Sequence, residues 1–224
     1  MKGGGSLQES LWMQLSDYFS NHMLTFLNSW KEHLKISLLA LMGSTLIGIA
    51  LGTLSTKYNR SEKWIISLFQ TLRIVPSLAI LLLLLPIMGT GIRPALVALI
   101  ILGIPPILMN TVSGLQSVSL SLLESAQGVG MSERQIRWKI QFPVAGPLIL
   151  TGIKTAAIEI IASATLAAKI GAGGLGEIIF TGLGLNRTDL LLIGGISVAI
   201  LAIGIGFILD LSERVLFRYK FLQR

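Results

Sequence analysis

Three ionisable side chains, Arg73, Lys154 and Glu159, lie inside long apolar stretches of this 224-residue sequence. Charged groups at membrane depth are costly, so they normally pair with each other, face a bundle interior or line a water-filled path. Lys154 and Glu159 are five positions apart, which is off the i,i+4 spacing of a strong pair on one helix. Their partners are therefore expected on other helices or on a second subunit. Two roles stay open: a network that only fixes helix packing, and the lining of a translocation path where Glu159 could meet a cationic substrate.

The residue types that catalysis needs are scarce. The chain has no cysteine, and its two histidines, His22 and His33, have no carboxylate at a spacing that suggests a metal site, so both are interpreted as interfacial polar residues. No Gly-x-Ser-x-Gly sequence occurs, and the nearest approach to a Walker sequence, from Gly146 to Thr155, has the wrong spacing. The sequence therefore disfavours an intramembrane enzyme. We expect no metal or cofactor on this chain, and any ATP must be hydrolysed by another polypeptide.

A glycine-rich segment, residues 171–176, matches the dinucleotide-binding pattern G-x-G-x-x-G. That pattern requires a preceding strand and a βαβ unit, whereas this segment follows a long apolar run. It is interpreted as a flexible loop on the outer side of a membrane. Residues 177–187 beside it are expected to form a short re-entrant or surface segment, or to fill space in the packing.

The longest stretch between apolar runs, residues 114–141, changes to an amphipathic pattern. Gly128 and Gly130 interrupt a first short helix, and Ser132 followed by Gln135 predicts a capped second helix. The pattern indicates a helix-turn-helix hairpin that ends at Pro143. Spacing alone is equally compatible with a docking element for a partner protein and with a solvated connector. A passive channel would have no evident use for a docking element.

Membrane-spanning helices must position the three intramembrane charges and the 114–141 loop. Hydrophobic residues make up 52% of the chain and charged residues 13%, where soluble domains carry about 25% charged residues. A helix needs roughly 20 apolar residues to cross about 30 Å of hydrocarbon. About five runs meet this requirement: 36–56, 64–88, 94–114, 143–168 and 190–209. The prediction is an all-α membrane protein.

Three regions follow from this pattern. Residues 1–33 form an amphipathic amino-terminal segment, residues 34–210 the transmembrane domain with its loop at 118–143, and residues 211–224 a basic tail. The amino-terminal segment is predicted to be a helix that either lies flat in the membrane interface or packs on the bundle.

The charge distribution predicts the orientation. The net charge is +7, which nucleic acid binding or basic cytoplasmic loops could explain. With the carboxyl end inside, ten of the 18 Lys and Arg residues lie on the cytoplasmic side: Lys57, Arg60, Lys63, Arg134, Arg137, Lys139, Arg214, Arg218, Lys220 and Arg224. Only six lie opposite. We therefore predict a cell-membrane protein with its amino end outside, its carboxyl end in the cytoplasm and no nucleic acid partner.

The 118–143 loop resembles the EAA loop of ATP-binding-cassette (ABC) importer permeases, whose pattern is E-A-A-x3-G-x9-I-x-L-P. The matching positions are Glu124, Ser125, Ala126, Gly130, Ile140, Phe142 and Pro143. Ser125 and Phe142 depart from the pattern in residue type but not in spacing. The resemblance implies a type I importer permease fold, in which residues 124–126 and Gly130 form a coupling helix and turn that sit in a groove of the ATP-binding subunit.

The resemblance covers most of the chain. Residues 70–78, 105–111 and 170–176 look like the small permeases of methionine and osmoprotectant importers, and residues 122–125 and 152–155 look most like those for glycine betaine, carnitine and choline. It implies a permease that works by alternating access; a permease for methionine-like amino acids or other small solutes is the alternative. The implied partners are an ATP-binding subunit that holds ATP and Mg, a second permease (identical or related), a separate extracytoplasmic substrate-binding protein and the lipid membrane.

Overall fold

The computed structural model describes residues 4–57 and 59–217, with side chains for residues 11–57 and 64–217. All regular secondary structure in these ranges is helical, which confirms the predicted all-α class. The α-helices are α1 (Gly4–Lys57), α2 (Asn59–Ile74), α3 (Ser77–Met88), α4 (Ile92–Gln116), α5 (Leu120–Gly128), α6 (Glu133–Ile136), α7 (Phe142–Ala167), α8 (Leu175–Leu185) and α9 (Thr188–Leu216). Residues 1–3, the side chains of Arg60 and Lys63, and residues 218–224 of the basic tail lie outside the described residues.

Helix α1 joins the predicted amino-terminal segment to the first predicted span. The chain is helical through residues 33 and 34, and the helix has a non-helical residue at His22 (φ −125°, ψ 17°). Tyr18 and Ser29 are buried, which favours packing of this segment on the protein over lying flat in the interface. His33 is 1% exposed, so its interpretation as an interfacial residue was wrong.

The second predicted span is broken. Helix α2 ends at Ile74 and α3 begins at Ser77, because Pro76 has no N–H and disfavours helical backbone at Val75. Four helical stretches are long and apolar enough to cross a membrane within the described residues, and the α2–α3 pair makes a fifth if it counts as one span. The expected number of about five spans agrees with this count.

The chain divides into two compact units. Among the described residues, unit 1 comprises 4–40, 76–99 and 160–204, and unit 2 comprises 41–57, 59–75, 100–159 and 205–217. Fully buried apolar side chains of unit 1 come from α1, α3, α4, α7 and α8: Ala40, Leu81, Ala95, Ile161, Ala167 and Leu175. Unit 1 therefore has its own core.

Unit 2 is built on close contacts between helices. Ile104, Leu108 and Val112 of α4 form a cluster against which apolar residues of α1 and α2 pack. On α1, a Cβ at Gly48 or Gly52 would lie 2.8 Å from Ile107 or 2.7 Å from Thr111 of α4. Small residues of this kind let helix backbones approach each other in a membrane bundle.

Candidate functional site

Helix α5 carries the first three residues of the EAA-like pattern. Glu124 and Ser125 are exposed, and Ala126 is buried with 5% exposure. The Glu124 carboxylate has no hydrogen bond or ion pair within the described part of the chain, whereas the Ser125 hydroxyl donates to Ser121 O (2.7 Å). The small side chain at position 126 faces the protein, and the carboxylate at position 124 is available to a partner.

The turn after α5 explains the spacing between Ala126 and Gly130. Met131 N–H donates to Ala126 O (3.1 Å), and Gly130 N–H donates to Gln127 O (2.9 Å). These two bonds are the 6→1 and 5→2 pair of a Schellman motif, which places a left-handed residue at the position of Gly130. Gly130 has φ +79°, a backbone conformation that glycine adopts without a steric penalty. A Cβ there would meet nothing within 4 Å, so the constraint is conformational and not steric.

The second arm of the loop begins with the predicted cap. The Ser132 hydroxyl accepts from Gln135 N–H (3.4 Å), and Ser132 N–H donates to Gln135 Oε1 (2.8 Å), which completes a capping box at the start of α6. Helix α5, the Gly130 turn and the capped α6 together form the coupling hairpin, a name used below for residues 120–136.

The prediction that the second helix ends at Pro143 was wrong. Helix α6 continues through a π-turn, Arg137–Gln141, into α7, with Phe142 N–H bonded to Arg137 O. Proline clashes with the carbonyl four residues earlier in an α-helix and donates no hydrogen bond. The wider π-turn lets the helix pass Pro143 without ending, and the half-buried Ile140 lies within this turn.

The two arms of the loop are held together where they leave the helices of unit 2. Leu115 of α4 packs with Ala145 and Ile149 of α7, and Phe142 packs on this cluster. A Cβ on Gly114 would lie 3.0 Å from both Cβ and O of Ala145, so α4 and α7 are in close contact there. Helices α4 and α7, which flank the coupling hairpin, are therefore packed together at this point.

The first predicted intramembrane charge has a partner on another helix. Arg73, in the last turn of α2, donates to Glu159 of α7, with Nη2 3.0 Å from Oε1. This partner lies on another helix, as the sequence analysis predicted for Glu159. The side chains are 51% and 31% exposed in the single chain, so this pair is not enclosed by the chain itself.

Lys154 pairs with a residue that the sequence interpretation missed. Its Nζ donates to Asp210 Oδ1 of α9, and the side chains are 34% and 44% exposed. Asp210 was taken only as the boundary of the last apolar run. The sequence did carry a signal for this pair. Asp210 directly follows the last apolar run, and Lys154 lies inside another run with no acidic partner at helical spacing. As the i,i+5 spacing predicted, Lys154 and Glu159 have partners on other helices.

The glycine-rich segment of unit 1 forms a turn that is bonded to its surroundings. Gly91 N–H donates to Ile170 O (2.6 Å), and Gly174 N–H donates to Glu32 Oε2 of α1 (3.2 Å). Gly174 has φ +85°, and a Cβ there would be within 3.1–3.2 Å of His33. The segment follows helix α7 and no βαβ unit is present among the described residues, which removes the basis for a dinucleotide site.

Unit 1 also contains polar contacts that sequence reasoning missed. The imidazole Nε2 of His33 is 3.0 Å from Ile161 O. Asp189, at the start of α9, is fully buried, and Arg187 Nε donates to its Oδ1 (3.1 Å). This hydrogen bond raises the pKa of the Arg187 guanidinium above its ordinary value. Residues 175–185 form the short helix α8, in which Leu175, Gly176, Ile178 and Gly182 are buried.

The fold and the coupling hairpin define a membrane transport subunit. Residues 44–219 match the family model described as binding-protein-dependent transport system inner membrane component, and the chain belongs to that family. It is therefore a multi-pass permease subunit of an ABC importer, which is a transport role and not an enzymatic one.

Curated relatives and a solved structure agree with this family. The chain is 40% identical over 203 residues to the glycine betaine/carnitine/choline transport system permease protein OpuCB of Bacillus subtilis, covering 87% of this chain and 93% of the relative. It is 42% identical over 182 residues to the carnitine transport permease protein OpuCB of Listeria monocytogenes, covering 81% and 84%. A chain of the MetNI methionine ABC transporter has the same fold, with a TM-score of 0.79, 20% identity and coverage of 87% and 97%.

Proposed function

We propose that this permease carries a compact quaternary ammonium osmoprotectant, of the glycine betaine, carnitine or choline type, across the membrane. The support is the 40–42% identity to permeases named for these solutes over more than four fifths of the chain. A methionine-like amino acid is the second candidate. The methionine transporter supports this candidate less, because a structure that is only 20% identical in sequence shows a shared fold and not a shared substrate.

The observation that carries the transport mechanism is the coupling hairpin. It presents Leu120 (70% exposed), Leu122 (42%) and Val129 (78%) beside the Glu124 carboxylate, which has no ion pair with any side chain that the structure describes. Exposed apolar side chains with a charged neighbour are typical of a docking surface. We infer that α5 and the Gly130 turn sit in a groove of a separate ATP-binding subunit that holds ATP and Mg, and that this subunit moves α4 and α7 through the packed contact at Gly114 and Ala145.

The exposed ion pairs are proposed to lie on the translocation path. Arg73–Glu159 and Lys154–Asp210 are a third to a half exposed in the single chain. Hydrocarbon is an unfavourable environment for such pairs, so a second permease, water in a central path, or both should cover them. In that arrangement two permeases, identical or related, enclose the path and alternate its access, and a separate extracytoplasmic binding protein delivers the solute.

Uptake by the reconstituted transporter tests the substrate. Proteoliposomes that contain the permease, its ATP-binding subunit and its binding protein should accumulate labelled glycine betaine, carnitine or choline when ATP is enclosed. A Glu124→Gln variant should assemble normally but lose most of this uptake. Accumulation of methionine and of none of the three quaternary ammonium solutes would refute the substrate assignment while leaving the permease role intact.

The proposed orientation has its own test. The chain has no cysteine, so single cysteines can be placed at Gln135 in the coupling hairpin and at Leu185 at the end of α8. An impermeant thiol reagent added to intact cells should label position 185 and leave position 135 unlabelled. The reverse pattern would mean that the amino end lies inside.

A further inference from the structure

An open groove in unit 2, outside the coupling hairpin and the ion pairs, has the composition of a lipid site. Its volume is about 420 Å³, and it lies between the carboxyl-terminal part of α1 and the π-turn before α7. The residues that matter for its chemistry are Leu46, Ala50, Leu54, Lys57, Arg137 and Trp138. Leu46, Ala50, Leu54 and the aliphatic stem of Lys57 form an apolar wall along α1, and the Lys57 ammonium group, Arg137 and Trp138 form a cationic and aromatic end.

The apolar wall has the length of one membrane leaflet. Leu46, Ala50, Leu54 and Lys57 follow one face of α1 at helical spacing, and these eleven residue steps span about 16 Å at 1.5 Å per residue. A hydrocarbon core of about 30 Å gives each leaflet about half that thickness. Leu46 is 72% exposed and Leu54 50% exposed. The wall therefore matches the length of the acyl region of one leaflet.

The other end of the groove suits a phosphate. Arg137 is half-buried, and it has no ion pair among the residues with described side chains. Trp138 is 62% exposed and stacks on Phe142, with ring centroids 4.8 Å apart. Tryptophan is enriched at the level of lipid headgroups, and arginine binds phosphate through paired N–H donors. Lys57 adds a second cation at the same end.

We propose that this groove binds one anionic phospholipid, with its phosphate at Arg137 and Lys57 and an acyl chain along the α1 wall. Basic pockets between spanning helices are known to hold anionic headgroups. The two cations of the groove, Lys57 and Arg137, require an anionic occupant, and a second copy of this chain in the groove would make the quenching independent of the lipid headgroup. A soluble partner is excluded from the apolar wall, which belongs to the charge-free segment 36–56.

Tryptophan quenching measures this binding without any transport step. The chain has four tryptophans, so replacing Trp12, Trp30 and Trp64 with Phe leaves Trp138 as the reporter. The full chain is placed in phosphatidylcholine nanodiscs. One series contains increasing amounts of brominated phosphatidylglycerol, and the other contains increasing amounts of brominated phosphatidylcholine. The mole fraction that gives half-maximal quenching is compared between the two lipids, for the parent and for Lys57→Gln/Arg137→Gln.

A bound anionic lipid requires brominated phosphatidylglycerol to quench at a mole fraction at least fivefold lower than brominated phosphatidylcholine. Each cation near an anionic headgroup contributes about fivefold in affinity, so the double substitution should remove most of this preference. Arg137→Lys keeps the charge and should retain a preference. Lys31→Gln/Arg93→Gln removes the same charge from unit 1 and should leave it unchanged.

Three results would overturn the proposal. Equal quenching by both lipids means that the groove does not select the headgroup. If the preference for phosphatidylglycerol survives Lys57→Gln/Arg137→Gln, the lipid site lies elsewhere. If Lys31→Gln/Arg93→Gln loses this preference to the same extent, the cause is general charge attraction. Because none of these readouts depends on the solute or on ATP, failure of the osmoprotectant assignment would not be mistaken for failure of the lipid site.

Discussion

The Gly130 turn in unit 2 and the Gly174 turn in unit 1 both place a glycine at positive φ, but in different surroundings. Both glycines have positive φ, +79° and +85°. Around Gly130 a Cβ would meet nothing within 4 Å, whereas at Gly174 it would lie 3.1–3.2 Å from His33. Glycine is required at the first position by the chain conformation alone and at the second by conformation and packing together. The first turn leaves its surface open for a partner, and the second joins two helices of its own unit.

This comparison predicts the largest stability loss at Gly174. Gly174→Ala places a side chain at φ +85° and ψ −171°, a region essentially restricted to glycine, and adds a methyl group against His33, which should together cost about 2–4 kcal/mol of unfolding free energy. The thermal midpoint of the purified complex should fall accordingly. Gly184→Ala is the matched control, since Gly184 lies in helix α8 with nothing within 4 Å of its Cβ, and it should be neutral or slightly stabilising. An equal fall for both variants would show that packing at Gly174 is not the cause.

Gly130→Ala should impair transport more than it impairs the fold. A left-handed alanine costs about 1–2 kcal/mol, which shifts the turn towards other conformations and should lower ATP-driven uptake roughly fivefold or more. Assembly and the thermal midpoint of the complex should change little, because the turn is exposed. Gly128→Ala, two residues earlier and inside α5, should leave uptake unchanged. Full uptake by Gly130→Ala would contradict a role for the Schellman turn in coupling.

Glu159→Gln distinguishes path lining from helix packing. The substitution keeps the size of the side chain and leaves Arg73 without its ionic partner. If the pair lines the path, transport should change while assembly stays normal in both Glu159→Gln and the double variant Arg73→Gln/Glu159→Gln. If the pair only fixes packing, assembly should fall in the single variant and recover in the double one. Unchanged uptake and assembly in both variants would remove both roles.

The smallest effect is expected at the cap of α6. Ser132→Ala removes the hydroxyl that accepts from Gln135 N–H and should cost about 1 kcal/mol locally. Amide hydrogen exchange should accelerate severalfold in residues 133–136, with little change in uptake. Ser132→Asp keeps an acceptor at the cap and should restore protection. Unchanged exchange in Ser132→Ala would mean that the π-turn and α7 hold this segment without the cap.

Local features of the hairpin could be predicted because neighbouring residues determine them. The capping box depends on two side chains three positions apart, and the positive φ of Gly130 depends on how a short helix ends. The course of the chain past Pro143 could not be predicted in this way. Proline indicates a helix end in most contexts, and only the π-turn at Arg137–Gln141 shows that the helix continues.

The amino-acid sequence by itself determined the apolar runs, the excess of basic residues and the pattern of the coupling loop. These follow from composition and from short spacings, which hydropathy and backbone preferences govern. Only the tertiary structure decided which acid each intramembrane cation meets and that His33 is buried. Arg73 and Glu159 are 86 positions apart, and Lys154 and Asp210 are 56 apart. No local pattern encodes such pairings, because they depend on which helix faces touch once the helices have packed.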